Sequence, residues 1–455
     1  MIKRLFSSQL RINMASGMAT TVVNIAVMAA SYPIYLHFLG YENYGVWLVL
    51  ATVLTFAQLG NLGMGPAVMK LVAEEYGRGD IKGIQQYVIT ALALLCVSGT
   101  VALIVILALK TQIVAAFKLS DENGKMVLWL LPYIGVLSIY VLVVQVFEAL
   151  LSGLGRMDLT NCIQSAGRIV AVIVAFILLH SGQGIESLLI ASIASYLLIH
   201  IVSLVCIWRI APIRFLQIGS FDVYRCKRLL HFGGAVFGGS LIGMFLSPFN
   251  KFMLSRYAGV STVPVYEIAY TGSMQIRALL EAALRALMPE ISRIGADMTI
   301  QAKNKISQLN SRVMKLILIF GIPIYGVLAI FAPLLLKVWL GNRFVETLPG
   351  VFRIMLIGTF LSLLGVPAYY TLMGTGHVRH TLGAHIVQAF VNIVIVLGVL
   401  VALTVSADTV VWSSSIAMAG ATLYLILQKR HTLQQVGNET YQSGTDNESI
   451  EAVST

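Results

Sequence analysis

The sequence predicts an all-α protein that crosses a membrane about 12 times, in two six-helix lobes around a central cavity. The composition supports this class, since 58% of the residues are hydrophobic and only 11% are charged. Soluble globular proteins have about 25% charged residues. Mean hydropathy is +0.84, and apolar segments of about 20 residues, long enough for a helix to cross the hydrocarbon core, recur along the chain.

Each predicted span is an apolar segment bounded by polar residues. The spans lie at residues 13–38, 44–67, 85–109, 127–150, 163–180, 187–208, 232–254, 262–288, 314–336, 348–373, 382–402 and 410–428. They form an N-terminal lobe (1–208) and a C-terminal lobe (232–430). The linker 209–231 mixes apolar and basic residues, which predicts an amphipathic segment on the cytoplasmic membrane face. Residues 431–455 are polar, and we expect a disordered cytoplasmic tail.

Two short motifs recur at matching places in the two halves. The sequence LSGLG (Leu151–Gly155) ends the fourth span, and LMGTG (Leu372–Gly376) ends the tenth. An even number of helices in each half favours parallel repeats about an axis normal to the membrane. A substrate would then bind between the lobes near the midplane.

The basic residues indicate the topology. Most of the 31 Lys and Arg residues fall on the side of both termini, and the opposite loops His180–Glu186 and Leu403–Asp408 contain none. The positive-inside rule therefore predicts that both termini are cytoplasmic. The net charge of +11 is dispersed over short loops, so we expect a lipid bilayer and no nucleic acid as partner.

No motif indicates an enzyme, a cofactor or a metal site. The chain has no P-loop, H-E-x-x-H or G-x-S-x-G pattern. Its 4 cysteines form no C-x-x-C and lie in or beside apolar segments, as buried small residues do. The loops are also too short for a catalytic domain.

The eighth span differs from the others because it carries four charges, at Glu267, Arg277, Glu281 and Arg285. Each costs about 2.5–3.5 kcal/mol to insert into a bilayer, so the helix is expected to turn them away from lipid. With about 100° per residue, these charges and Tyr270 share one stripe. The stripe either lines a hydrated cavity or forms an ion-pair ladder, since Glu281 lies four residues from Arg277 and from Arg285.

Further charges lie near the ends of other spans. Lys251 and Glu267 are at similar depth and are candidates for a pair across neighbouring helices. Glu148 and Arg168 lie near the cytoplasmic ends of the fourth and fifth spans, where pairing or snorkelling is the alternative to a binding role. Basic residues outnumber acidic ones among these charges, which favours an anionic substrate.

The second span ends in QLGNLGMGP (Gln58–Pro66), where glycines and a proline loosen the helix. Interrupted helices often mark a binding site or hinge in transporters, although close packing through small residues gives the same pattern. Gln58 and Asn61 are candidates for neutral polar contacts with a substrate.

Four motifs resemble the Wzx-type polysaccharide-unit flippases of the multidrug/oligosaccharidyl-lipid/polysaccharide exporter superfamily. They are FLGYENYGVWLVL (Phe38–Leu50), QLGNLGMGPAV (Gln58–Val68), LSGLGRMDLTN (Leu151–Asn161) and VYEIAYTGSMQIRALLEAALRALMPEISRIG (Val265–Gly295). Relatives often have an acidic residue where this chain has Asn61, so a cation site of relatives at that position is in doubt here.

The resemblance implies a function and a location. It implies export of undecaprenyl-pyrophosphate-linked oligosaccharide units across the bacterial inner membrane, with polysaccharide polymerase and chain-length proteins as candidate partners. Arg binds phosphate through two parallel hydrogen bonds, so Arg277, Arg285, Lys251 and Arg168 are the candidate anion ligands. Glu267, Glu281 and Glu148 are the candidate cation-coupling residues. The alternatives are a cation-coupled multidrug exporter of the same superfamily, a non-transporting scaffold and a glycolipid-processing enzyme.

Overall fold

A computed structural model describes residues 8–211, 222–284, 291, 294, 300–375, 377–402 and 406–453. Over this part of the chain the protein is helical and contains no strand. The helices are α1 (Ser8–Ala57), α2 (Met64–Arg78), α3 (Ile81–Ala108), α4 (Lys110–Phe117), α5 (Asp121–Gly153), α6 (Met157–His180), α7 (Glu186–Ile210), α8 (Val223–Ala258), α9 (Thr262–Leu284), α10 (Ile300–Leu340), α11 (Leu348–Leu364), α12 (Val366–Gly374), α13 (Val378–Ala402) and α14 (Ala407–Val453). Short 3₁₀ turns lie at Gln58–Asn61 and Gly341–Arg343.

Nine helical stretches in the described ranges are long and apolar enough to cross a membrane. The first, Ala15–Arg78, contains two predicted spans because α1 turns at Gly40, whose φ of 70° suits a residue without a Cβ. Helices α8 and α9 are not among the nine, and α9 is less apolar because it carries the charges of the predicted eighth span. The predicted class, an all-α multi-pass membrane protein, is confirmed.

The chain divides into two compact units. The first comprises Met1–Pro264 with Trp339–Arg343, and the second comprises Val265–Val338 with Phe344–Thr455. We predicted that the C-terminal lobe begins at residue 232, which lies inside α8. In the structure, α8 belongs to the first unit because it packs against α1, α2 and α3. The two-lobe cavity stays a prediction.

The predicted linker and the predicted tail border the C-terminal lobe on either side. Residues 212–221 of the linker are outside the described residues. Helix α14 continues to Val453, and the lobe end at residue 430 and the disorder of the tail stay predictions.

The first unit has a core of large apolar side chains between α2, α3, α5, α6 and α7. Met64, Tyr87 and Leu150 are fully buried in it. A smaller core in the second unit joins α12, α13 and α14 through Leu372, Ala384 and other short side chains. These cores hold the helices that carry the polar clusters described below.

A row of hydrogen bonds joins α1 to α6 and accounts for the LSGLGRMDLTN motif. Asn13 donates from Nδ2 to the Gly155 carbonyl at 3.1 Å and accepts from the Asp158 amide at 3.0 Å. Asn161 donates to Ser16 Oγ at 3.0 Å. Polar contacts of this kind stabilise helix pairs inside a membrane, so this motif positions α1 in the first unit.

Candidate functional site

The charged stripe of α9 contains an ion pair within one helical turn. Arg277 Nη1 lies 3.1 Å from Glu281 Oε2, and the two side chains are 24% and 21% exposed. Tyr370 of α12 donates its hydroxyl to Glu281 Oε1 at 3.3 Å. One rung of the alternative ion-pair ladder is therefore present, and α12 fixes the carboxylate. Arg285, the second rung, lies outside the described residues.

Arg277 does not use all of its donors. Its Nε is buried and has no hydrogen-bond acceptor among the described residues. A guanidinium group has five N–H donors and no acceptor, and a buried donor without a partner costs about 1–3 kcal/mol. This N–H is available to an acceptor ligand.

Aromatic side chains on three other helices of the second unit lie within electrostatic range of Arg277. Tyr325 of α10, Tyr369 of α12 and His385 of α13 all interact electrostatically with Arg277. The rings of Tyr369 and Tyr370 meet edge to face with centroids 5.6 Å apart. Four helices of one unit therefore bring polar and aromatic groups to Arg277.

Other residues of the stripe bond within α9. Glu267 Oε1 accepts from Thr271 Oγ1 at 3.2 Å. The ring of Tyr270 stacks on Tyr266 with centroids 5.6 Å apart and an angle of 14°. Lys251 lies in the first unit and Glu267 in the second, so their predicted pairing stays a prediction.

The structure brings Glu148 and Arg168 together. Glu148 of α5 shares a side-chain hydrogen bond with Gln164 of α6 and interacts electrostatically with Arg168. Tyr196 of α7 interacts with both charges. This cluster accords with the pairing alternative, and a role of its carboxylate in coupling stays a prediction.

The predicted interruption in the second span is confirmed as a feature of the backbone. After α1 ends at Ala57, a 3₁₀ turn begins with the half-buried Gln58. Asn61 ends this turn, donates from Nδ2 to Gln145 Oε1 of α5 and accepts from the Gly65 amide at 3.3 Å. The side-chain amides of Asn61 and Gln145 therefore meet at the position where proteins of the family that this sequence resembles often have an acidic residue.

A second charged cluster, which the sequence analysis did not find, lies in the first unit at the start of α8. We call it the α8 cluster, and it is centred on Arg225. Arg225 lies 3.5 Å from Glu75 Oε1, 3.7 Å from Asp80 Oδ2 and 3.6 Å from Asp222 Oδ2. Its guanidinium carbon is 4.6 Å from the centre of the Tyr87 ring.

Arg228 adds a further pair to the α8 cluster. Its Nη2 donates to Glu74 Oε2 at 2.9 Å and its Nη1 donates to Tyr87 Oη at 2.8 Å. Burial lowers the pKa of Arg228, but Tyr87 and the hydrogen-bonded Glu74 outweigh this effect and raise the pKa overall. The acidic residues between the second and third spans were the signal for this cluster, since they face Arg225 and Arg228 of the predicted linker.

Metal-ligating side chains do not converge in the described ranges. No group of three or more His, Cys, Asp or Glu residues there could hold a metal ion. His200 instead accepts or donates through Nδ1 at 2.8 Å from Tyr140 Oη and stacks on Phe147.

Comparison with known proteins supports a family and a fold. A family model described as polysaccharide biosynthesis protein matches residues 37–349. The chain belongs to this family. A Shigella flexneri protein assigned as an O-antigen transporter is 21% identical over 353 residues, which are 76% of this chain and 80% of that relative.

Solved transporters share the fold of this polysaccharide biosynthesis protein. It is similar to an inward-facing multidrug resistance MATE family transporter of the MOP superfamily, with a TM-score of 0.73, 14% identity and coverage of 94% of this chain and 98% of that chain. A MOP superfamily transporter from Pyrococcus furiosus has a TM-score of 0.63 at 14% identity, with coverage of 94% and 96%. The resemblance found in the sequence is confirmed, and family and fold point to a transporter and not to an enzyme.

Proposed function

We propose that this protein is a flippase for undecaprenyl-pyrophosphate-linked oligosaccharide units, which it moves from the cytoplasmic to the periplasmic leaflet of a bacterial inner membrane. Such units are used for surface polysaccharide such as O-antigen, capsule or exopolysaccharide. Membership of the polysaccharide biosynthesis family and the similarity to an O-antigen transporter support this substrate class.

The observation that carries the proposal is the buried Arg277 Nε, for which the described residues provide no acceptor. Pyrophosphate has several anionic oxygens and accepts two parallel hydrogen bonds from one guanidinium group. Glu281 neutralises part of the charge of Arg277 from one side and leaves Nε to the substrate. Arg285, Lys251 and Arg168 are further candidate ligands for the anion, with Tyr270, Gln58 and Asn61 as candidate neutral contacts.

Cation coupling is the second part of the proposal. A membrane potential acts on a charged head group that crosses the bilayer, and Glu267, Glu281 and Glu148 are the candidate carriers of a proton or sodium ion. Glu267 Oε1 accepts a hydrogen bond from Thr271, and Glu148 is hydrogen-bonded to Gln164 and interacts electrostatically with Arg168.

The location follows from the basic loops. We place both termini in the cytoplasm, with His180–Glu186 and Leu403–Asp408 in the periplasm. Polysaccharide polymerase and chain-length proteins are the proposed protein partners, because they act on the unit after it crosses.

Proteoliposomes test the function directly. The purified protein should move a fluorescent undecaprenyl-pyrophosphate-linked oligosaccharide between leaflets, faster under an imposed proton or sodium gradient, and it should leave a fluorescent phosphatidylglycerol in place. Loss of the gradient response in Glu267→Gln alone would assign coupling to that residue. Transport of a cationic dye without movement of the lipid-linked unit would instead support the multidrug exporter and overturn the proposal.

A further inference from the structure

A buried hydroxyl of α12 contacts the carboxylate that pairs with Arg277. Tyr370 is buried, and its Oη donates to Glu281 Oε1 at 3.3 Å. The other carboxylate oxygen, Oε2, lies 3.1 Å from Arg277 Nη1. The two oxygens of Glu281 therefore contact two different helices, α9 through Arg277 and α12 through Tyr370.

This arrangement differs from the usual contact between an arginine and a carboxylate. Such pairs are frequently bidentate, with two parallel N–H groups that donate to the two oxygens. Arg277 Nε has no acceptor among the described residues, so neither oxygen of Glu281 accepts from that donor. The contact with Tyr370 provides a physical reason, because a carboxylate anchored at both oxygens cannot rotate freely toward Nε.

The helix that carries Tyr370 is itself held in place. Thr371, the next residue, accepts a hydrogen bond from Asn310 Nδ2 of α10 at 3.0 Å and donates to the carbonyl of Pro367 at 2.7 Å. Polar contacts between helices of this kind stabilise packing inside a membrane. Leu372 is buried in the small core with α13 and α14. The hydroxyl of Tyr370 consequently reaches the carboxylate from a fixed helix.

Loss of this anchor would let Glu281 compete with a ligand. A carboxylate that is free to rotate can accept from two N–H groups of Arg277, and the Nε edge is favoured because its N–H has no other described acceptor. A phosphate group accepts two parallel hydrogen bonds from the same edge of a guanidinium group. The internal carboxylate and an external anion would then exclude each other.

We propose that Tyr370 is a positioning residue for anion binding, because its hydrogen bond holds Glu281 away from Arg277 Nε and leaves that donor to a phosphate-type oxyanion. This inference rests on the proposed function, in which the oxyanion is the pyrophosphate of the lipid-linked substrate. Tyr370 acts through Glu281 and makes no contact with the ligand.

The test measures anion affinity in full-length protein reconstituted in phosphatidylcholine nanodiscs, with undecaprenyl pyrophosphate and inorganic pyrophosphate as probes. Tyr370→Phe should bind both about tenfold more weakly, as expected when an internal carboxylate takes one charge-assisted hydrogen bond from the ligand. The same substitution in a Glu281→Gln background should change the affinity by less than about twofold, because an amide has one acceptor oxygen and no charge.

Tyr140→Phe is the matched control. It removes a hydroxyl that is bonded to His200 in the first unit, and it should leave pyrophosphate affinity unchanged. Wild-type affinity in Tyr370→Phe would overturn the inference. Equal weakening in both backgrounds would overturn it too, since the hydroxyl would then act independently of Glu281. Failure of Tyr370→Phe to fold would also count against it, because the hydroxyl would then be required for the structure.

Arg277→Ala separates this inference from the proposed function. If Arg277→Ala abolishes binding while Tyr370→Phe binds as the wild type does, only the inference fails. If Arg277→Ala binds as the wild type does, the anion site of the proposed function fails together with the inference.

Discussion

The α8 cluster of the first unit and the Arg277–Glu281 pair on α9 of the second unit show that the number of basic residues does not identify a binding site. Arg225 of the α8 cluster faces three carboxylates within 3.7 Å, and Arg228 bonds to Glu74 and Tyr87. Arg277 faces one described carboxylate and retains a buried Nε that the described residues leave without an acceptor. An arginine that is paired with several carboxylates stabilises the fold, whereas an arginine with an N–H donor that has no acceptor in the protein can bind an anion.

The contrast extends to packing. In the first unit, α2 and α8 approach so closely that a Cβ on Gly63 would lie 2.1 Å from the Gly233 carbonyl oxygen. In the second unit, the buried Nε of Arg277 has no acceptor among the described residues. We therefore expect substitutions near the α8 cluster to lower stability and substitutions near Arg277 to weaken binding.

The largest expected effect on stability is that of Gly63→Ala. Gly63 has a φ of 72°, a conformation that disfavours a Cβ, and the new methyl group would clash with the Gly233 carbonyl. The free energy of unfolding should fall by about 4 kcal/mol. Gly65→Ala is the control, because nothing lies within 4 Å of its Cβ. Equal melting temperatures of the two variants would show that α2 and α8 do not pack closely.

Arg225→Ala should have the next largest effect. It removes the α8 cation from the buried Glu75, which is 5% exposed and keeps Arg78 at 3.4 Å, and losing one charged partner of this kind costs about 2 kcal/mol. Thermal unfolding of the purified protein measures this loss. Pyrophosphate affinity of the folded fraction should be unchanged, and a selective loss of affinity would refute the distinction between the two clusters.

Glu281→Gln should strengthen anion binding, and its effect in free energy should be smaller than the stability effects of the two preceding variants. The variant keeps an acceptor for Tyr370 and removes the negative charge beside Arg277, which is worth about 1 kcal/mol in a hydrated site. Inorganic pyrophosphate should bind about fivefold more tightly. Glu346→Gln, an exposed carboxylate of the same unit, should bind as the wild type does. Weaker binding by Glu281→Gln would indicate that the carboxylate helps to form the site.

The sequence predicted the features that depend on local spacing. Apolar segments predicted the helices, QLGNLGMGP predicted the interruption after Ala57, and the four-residue spacing predicted the pair of Arg277 with Glu281. The sequence did not predict contacts between distant segments. Arg225 meets Glu75 and Asp80 only because α8 packs against α2 and α3, and this packing also places α8 in the first unit.

The most direct test of the account is the rate at which Arg277→Ala proteoliposomes move an undecaprenyl-pyrophosphate-linked oligosaccharide. Arg353→Ala is the control, because Arg353 belongs to the same unit and donates from Nε to the Ala329 carbonyl at 2.7 Å. We predict that Arg277→Ala loses translocation with an unchanged melting temperature, that Arg277→Lys recovers part of it, and that Arg353→Ala transports normally. Wild-type translocation by folded Arg277→Ala would contradict the account.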